Sequence, residues 1–557
     1  MKTFARRAAA LLLDTPLAWM ALSFGVYFFY AQFIVMIAWD ALELVIAQHV
    51  IDHGAYVTSL DYPSALTLRP VLPTLMVAFF RLWTSDPVLI FRLLAGFGLA
   101  TLAGAMFFAA HRLWGRAAAH SAALLTLSCP ALTTYLIDNN HPYSHLGAMP
   151  VLGLALALSL WLLKQESSGQ PASTRYYALC GLLWGLCYLC RSELVLYAGV
   201  LAMLLAWQAF RRRTRGVWSR LGALLLVFGF IFIPYNIYAE HVTRRDGTSI
   251  RKSIYGFYMS QGWADPPPGE LADTEGDGYI YAIKLYGDPV ANGESMLTAI
   301  RHNPQAFLRR VKLNSSAFYA LYHSPDFYPA AWAAGDLILL GLLLTGLLPV
   351  GDRPCLLFLC GLFLASHFVL MFHIDERYLT IGVPPLILLL AGLIHYVIHA
   401  SAKLSPTAGI ATGLIVAGVL VGVGHRQYLR VRNHRPANTQ SIAAMKSFGR
   451  HFLAVVKTPR LAGNREPHVG FDFPNPTRIY LEDQFLLPYF SHTALVAHNT
   501  VSAYPRPKFY SFREVPDDYL YVPAELFKTL DPKLAAKAID EYDNPVLGHY
   551  YLLELNR

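Results

Sequence analysis

The sequence predicts a polytopic helical membrane bundle with a small α/β domain at its C-terminus, and three observations carry that expectation. The 557 residues are 55% hydrophobic and only 15% charged, too apolar for a soluble chain of this length. Eleven stretches of roughly twenty apolar residues recur before residue 425, each close to the length that crosses a bilayer. Basic residues gather in alternate gaps between them, as the positive-inside rule requires. The net charge of +9 therefore belongs to short basic loops, and no nucleic acid is expected as a partner.

Lys2, Arg6 and Arg7 precede the first span, 16–38, which places the N-terminus in the cytoplasm and brings Trp39 and Asp40 out on the opposite face. This span is too long for the apolar core of a signal peptide and no small-x-small site follows it, so it is read as a retained anchor. The first outer loop, 39–87, holds a helix-like piece from Asp40 to His53, a turn at Gly54 and a second piece from Pro70 to Trp83. Its apolar stretch, preceded by Arg69 and interrupted by Arg81, is too short to cross and is expected to lie along the outer surface.

The remaining spans are read as 88–110, 117–136, 143–163, 175–190, 194–209, 220–238, 331–349, 354–373, 378–398 and 406–424. Arg112, Arg116, Lys164, Arg175, the run Arg211 to Arg220, Arg353 and Lys403 then fall inside. Asp40, Asp138, Arg191 with Glu193, the long loop 239–330 and Asp375-Glu376-Arg377 fall outside. An odd number of spans sends the tail outside as well.

The expected division is a transmembrane domain over 1–424 and a soluble extracytoplasmic α/β domain over 425–557. The tail reads as a helix near Thr439 to Val455, strands at His468 to Phe473 and Tyr519 to Val522, a helix near Lys533 to Tyr542, and a last strand at His549 to Leu555. All six cysteines lie within apolar segments, where Cys187-x-x-Cys190 is most simply a pair of small buried hydrophobes.

Asp, Glu, Lys and Arg avoid the middle of the spans; Arg92, Asp336 and Arg377 sit near outer ends. A proton- or ion-coupled transporter needs such residues at depth, together with repeat symmetry. Acidic and basic residues instead converge on one membrane face, which suits a reaction needing a general base and cations for an anion. Asp40 and Glu43, one helical turn apart, read either as a near capping box or as a reactive carboxylate pair.

Asp138, His141 and His145 have a spacing that would set metal ligands, for Mg²⁺ or Mn²⁺, on one helix face. Pro142 fits a first helical turn instead, leaving His141 as a cap and His145 just inside, so no metal and no other cofactor is assigned. The loop 239–330, with Arg244-Arg245, Pro266-Pro267-Pro268, the acidic Asp273 to Asp277 and many tyrosines, is expected to cover a donor or an acceptor. Its rings either stack on sugars or sit in an interfacial belt.

Four motifs in this order resemble the GT-C superfamily of polyprenyl-phosphate-sugar-dependent glycosyltransferases, in particular the protein O-mannosyltransferase and lipid A aminoarabinose transferase family. They are Trp39-Asp40-x-x-Glu43; Arg69-Pro70-Val71-Leu72-Pro73; Gly181-Leu182-Leu183-Trp184-Gly185-Leu186 leading to Arg191-Ser192-Glu193; and Glu376-Arg377-Tyr378-Leu379 before Pro384-Pro385. The resemblance implies transfer of one sugar from an undecaprenyl- or dolichyl-type phosphate to an acceptor hydroxyl, with inversion, at the extracytoplasmic face of an inner membrane. The acceptor, whether glycan, lipid or protein, stays open.

On that reading Asp40 is the base, with Asp138 across the cleft and Glu43 beside it. Arg377 and Arg191, backed by Arg92 and Arg69, hold the donor phosphate through the bidentate arginine fork. Tyr378, Glu193 and His141 are the neighbouring candidates for substrate binding. Two rivals remain: a glycan ligase or polymerase using a lipid diphosphate donor, and a lipid or polysaccharide transporter.

Overall fold

The computed structural model describes residues 14–30, 41–56, 70–133, 142–212, 215–245, 252–265, 275–345, 352–374, 379–433, 438–456, 469–471, 519–528, 530–544 and 548–554. In chain order the first helices are α1 (Pro16–Tyr30), α2 (Ala41–His53), α3 (Val71–Arg81), α4 (Pro87–Trp114), α5 (Arg116–Ser128), α6 (Pro142–Ser167), α7 (Thr174–Cys190), α8 (Val195–Arg212) and α9 (Arg215–Arg245). There follow α10 (Lys252–Ala264), α11 (Glu275–Tyr286), α12 (Met296–His302) and α13 (Pro304–Leu321). The last set is α14 (Ala330–Leu344), α15 (Arg353–Ser366), α16 (Val383–Leu404), α17 (Pro406–Asn433) and α18 (Asn438–Val455).

A helix occupies every expected span. Among the described residues α4, α6, α8, α9, α15, α16 and α17 are the seven long and apolar enough to cross a membrane, and α1 and α14 are shorter apolar helices. The chain is a multi-pass membrane protein. The expected span 117–136 ends its regular helix at Ser128, because Cys129 turns extended (ψ 120°) ahead of Pro130.

Helix α6 measures the bundle. From His145 to Lys164 is about 28 Å at 1.5 Å per residue, close to the thickness of a hydrocarbon core. At the far end Lys164 is ion-paired with Asp352, which also accepts from Tyr396 Oη at 2.9 Å. There too the buried Glu166 meets Arg220 at 2.7 Å and accepts from Tyr177 Oη at 2.6 Å. These pairs lock α6, α7, α9, α15 and α16 together where the apolar segments run out.

Glycines set the closest approaches in the bundle. A Cβ on Gly181 would strike the backbone oxygen of Leu224, and one on Gly185 would meet the Ile231 side chain at 2.6 Å, so α7 and α9 touch backbone to backbone. On an adjacent face of α7 the buried Trp184 donates Nε1–H to Ser159 Oγ on α6 at 3.0 Å.

Four expectations change. Helix α3 is not merely laid on a surface: Pro73, Thr74, Val77, Ala78 and Phe80 are buried, and Pro73 lies against Gly147 of α6. The loop 239–330 is largely helical, since α9 runs on to Arg245 and α10 to α13 carry an aromatic core of Phe257, Tyr258, Tyr279 and Tyr286. The expected domain boundary at 424/425 falls inside α17, which continues to Asn433.

The fourth correction lies in the tail. The helix expected over Lys533 to Tyr542 is confined to Pro532–Ala535, and the next residues form a strand. Strands β1 (Val469–Phe471), β2 (Tyr519–Pro523), β3 (Ala538–Asn544) and β4 (Gly548–Glu554) make a sheet of order β1-β2-β4-β3. β1 and β2 are parallel and the other pairs antiparallel. Pairing with β4 overrides the helical preference of the alanines and lysine before β3, because it carries the Tyr542 ring against Phe448 and His451 of α18. Side chains alternate across the sheet: Tyr521, Tyr550 and Leu552 face α18, while Val522 and Leu553 pack with Phe527 and Leu534 on the other side.

Candidate active site

Four helices meet at the end of the bundle opposite Lys164. Helix α2 packs on α3, and α3 packs on both α6 and α7. Cys190 Sγ, at the last residue of α7, donates to the Gly147 carbonyl at 3.7 Å and fixes that terminus beside the first turns of α6. Tyr56 Oη lies 3.1 Å from both the Pro70 carbonyl and Thr74 Oγ1, within reach of its single O–H, and so ties the end of the α2 segment to the start of α3.

Arg191 stands where α7 stops. Its N–H still bonds to the Cys187 carbonyl at 2.9 Å, but its backbone is extended (φ −152°, ψ 117°), and the chain turns through a 3₁₀ helix, Ser192–Leu194, into α8. The side chain is 9% exposed. Nε donates to Glu193 Oε1 at 2.6 Å, and Nη1 meets Nε2 of the buried His145. Because a guanidinium has no acceptor, His145 Nε2 receives this bond and the imidazole is the neutral Nδ1–H tautomer. The fork is thus held from two sides before any anion arrives.

Glu43, in the first turn of α2, is completely buried. Arg92 lies on α4 with its Nε buried and without a hydrogen bond. It sits six residues, about 9 Å, before Gly98, whose Cβ position is 2.5 Å from the carbonyl of Leu146, the residue after His145. The structure therefore brings Arg191, Glu193 and His145 into contact and sets Glu43 and Arg92 on the helices around them. Asp40, Arg69, Asp138, His141, Arg377 and Tyr378 lie outside the described residues.

The described segments flanking Arg377 are gripped by three side chains. On α8, Tyr197 Oη donates to the Ile381 carbonyl at 3.2 Å, four residues beyond Glu193. From α13 and the residue that ends it, Asn314 Nδ2 donates to the carbonyls of Leu370 and Phe372 at 2.9 and 3.0 Å, and Tyr322 Oη to that of Leu379 at 3.0 Å. Among the described residues no group of three or more His, Cys, Asp or Glu is arranged to hold a metal ion. Sequence reasoning weighed His145 as a metal ligand and left it just inside a helix, and its separation of 46 residues from Arg191 leaves no local pattern that joins the two.

No protein-family model matches the sequence, and no curated protein matches it. Among solved structures the chain is similar to ArnT from Cupriavidus metallidurans bound to undecaprenyl phosphate, with 15% identity, a TM-score of 0.45, and coverage of 96% of this chain and 97% of that one. It is similar to the oligosaccharyltransferase AglB from Archaeoglobus fulgidus in complex with an inhibitory peptide and a dolichol-phosphate, with 11% identity, a TM-score of 0.51, and coverage of 86% and 64%. A structure of the Archaeoglobus fulgidus oligosaccharyltransferase with Zn and sulfate gives 12%, 0.50, 85% and 61%. The chain spans just under two thirds of the length of these two oligosaccharyltransferase chains. A common architecture over most of this chain, kept at such low identity, shows that the chain shares the fold of these oligosaccharyltransferase structures.

Proposed function

We propose that this chain is an integral-membrane, inverting glycosyltransferase that moves a sugar from a polyprenyl-phosphate carrier to an acceptor hydroxyl. The observation that carries this reading is Arg191, a guanidinium fixed by His145 and Glu193 where α7 ends, at the end of the bundle opposite Lys164. A leaving phosphate is already ionised, so what lowers the barrier is positive charge placed where negative charge accumulates. A fold shared with an oligosaccharyltransferase solved with dolichol-phosphate and a peptide supports a lipid phosphate and an acceptor meeting on this architecture.

Arg191 and Arg377 would bind the donor phosphate, with Arg92 and Arg69 behind them, and Asp40 would take the proton from the acceptor hydroxyl with Asp138 assisting. Glu43 would support Asp40 from the buried side of α2; Glu193, Tyr378 and His141 would contact substrate. The N-terminus would be cytoplasmic, and the soluble domain that follows α17 would stand over the site on the other face of an inner membrane.

The test is sugar transfer from a panel of polyprenyl-phosphate sugars by the purified protein in nanodiscs, beside an Asp40→Asn variant. Turnover that falls at least about 100-fold in the variant supports class, donor and base together. Equal turnover in both removes Asp40 from the mechanism. Transfer from a diphosphate-linked oligosaccharide alone would favour the second reading, an oligosaccharide transferase, which the likeness to AglB recommends.

A further inference from the structure

The helical segment between α9 and α14 buries a cation that the transfer reaction described above does not use. Arg310, on α13, is 0% exposed. Its Cζ lies 4.1 Å from the centre of the Phe257 ring, with Tyr286 at 5.6 Å and Phe307 at 6.0 Å. Nη1 donates to the Phe257 carbonyl at 2.8 Å and to Ser260 Oγ at 3.4 Å. Nε and Nη2 are buried and have no hydrogen-bond partner.

These two atoms form the edge of a guanidinium that presents parallel N–H groups to the two oxygens of a carboxylate or phosphate. The cluster's own carboxylate is already engaged: Asp265, 5% exposed, pairs with Arg309 at 3.0 Å. A second orphan donor lies close by. Gln261, next to Ser260 in sequence, accepts the Tyr286 hydroxyl through Oε1 at 3.0 Å and leaves Nε2 buried and unpartnered.

Aromatic faces offset part of the cost of burying a cation, but they do nothing for N–H groups pointing along the plane of the fork. Burial also draws the guanidinium down to about 10 from its usual range, as expected where no anion stands opposite. We propose that the Nε–Nη2 edge of Arg310, with the Gln261 amide, is an oxyanion site that takes a carboxylate or a phosphate group between α10 and α13. This site is separate from Arg191 and does not rest on the transfer reading.

The test is hydrogen exchange on the full-length protein in nanodiscs, with inorganic phosphate or acetate compared with chloride at matched ionic strength. One of these anions is expected to slow exchange saturably in 252–264 and 304–321. Arg310→Lys, which loses the paired edge but keeps the charge, is expected to raise the half-saturating concentration about tenfold or more, and Arg310→Met to abolish the effect. Protection by phosphate alone assigns a phosphoryl ligand; protection by acetate alone assigns a carboxylate. No protection of the wild type by either anion, or equal protection in Arg310→Met, overturns the proposal. Should Arg310→Met fail to fold, the wild type and Arg310→Lys still decide it.

Discussion

An arginine fork contributes most to an anion site when its orientation is fixed in advance. Arg191 meets that condition through Glu193 and His145. Arg191→Ala is expected to lower kcat/KM for sugar transfer about 100-fold, and Arg191→Lys nearly as far, because an ammonium cannot span two oxygens. On the proposed function His145 would act through Arg191, as a positioning residue. His145→Ala is expected to cost about tenfold, and His145→Gln, whose carbonyl can accept the same N–H, to restore most of it. Steady-state kinetics on the four variants reads this directly, and full activity in His145→Ala would detach the imidazole from the fork. The arginine was legible in the sequence because it interrupts an apolar run beside an acid. Its histidine partner and the caged Arg310 were not, since both depend on helices brought together from distant parts of the chain.

At the scale of elements the spans were legible, because an apolar run of about twenty residues between basic loops has few other readings. The helices α10 to α13 were not: their apolar residues are aromatics scattered among charges, which an interfacial belt explains equally well. The Gly181 to Leu186 motif, met first as a resemblance, has a packing reason, with two glycines toward α9 and Trp184 toward α6. Gly181→Ala is expected to cost about 1–3 kcal/mol, read by thermal unfolding in detergent, because the strained atom is a backbone oxygen that cannot swing away.

In the tail, His451 joins α18 to the sheet, with Nδ1 2.8 Å from Tyr521 Oη and Nε2 3.1 Å from Asp540. Burial holds its pKa below the usual histidine value although Asp540 opposes the shift. The unfolded chain therefore binds this proton first as pH falls below about 6.5, so stability is present above that pH and declines below it. Exchange in 438–456 and 538–544, corrected for its intrinsic pH dependence, should quicken between about pH 7 and 5. Unchanged protection would dismiss His451 as the cause.

For the molecule as a whole, eleven crossings would leave the two ends of the chain on opposite faces. Tags at Met1 and Arg557, probed in sealed vesicles with an impermeant reagent, are expected to react on opposite sides; labelling from the same side would remove one crossing and relocate the site. Helix α13 then acquires a meaning beyond support. Arg310, Asn314, Phe318 and Tyr322 follow at four-residue steps along one buried stripe, which starts in the aromatic cage and ends on the carbonyls beside Arg377. A stripe of this kind is a shaft with a load at each end. If an oxyanion at Arg310 alters donor affinity by some factor, donor binding must alter oxyanion affinity by the same factor, and Asn314→Ala should weaken both responses together.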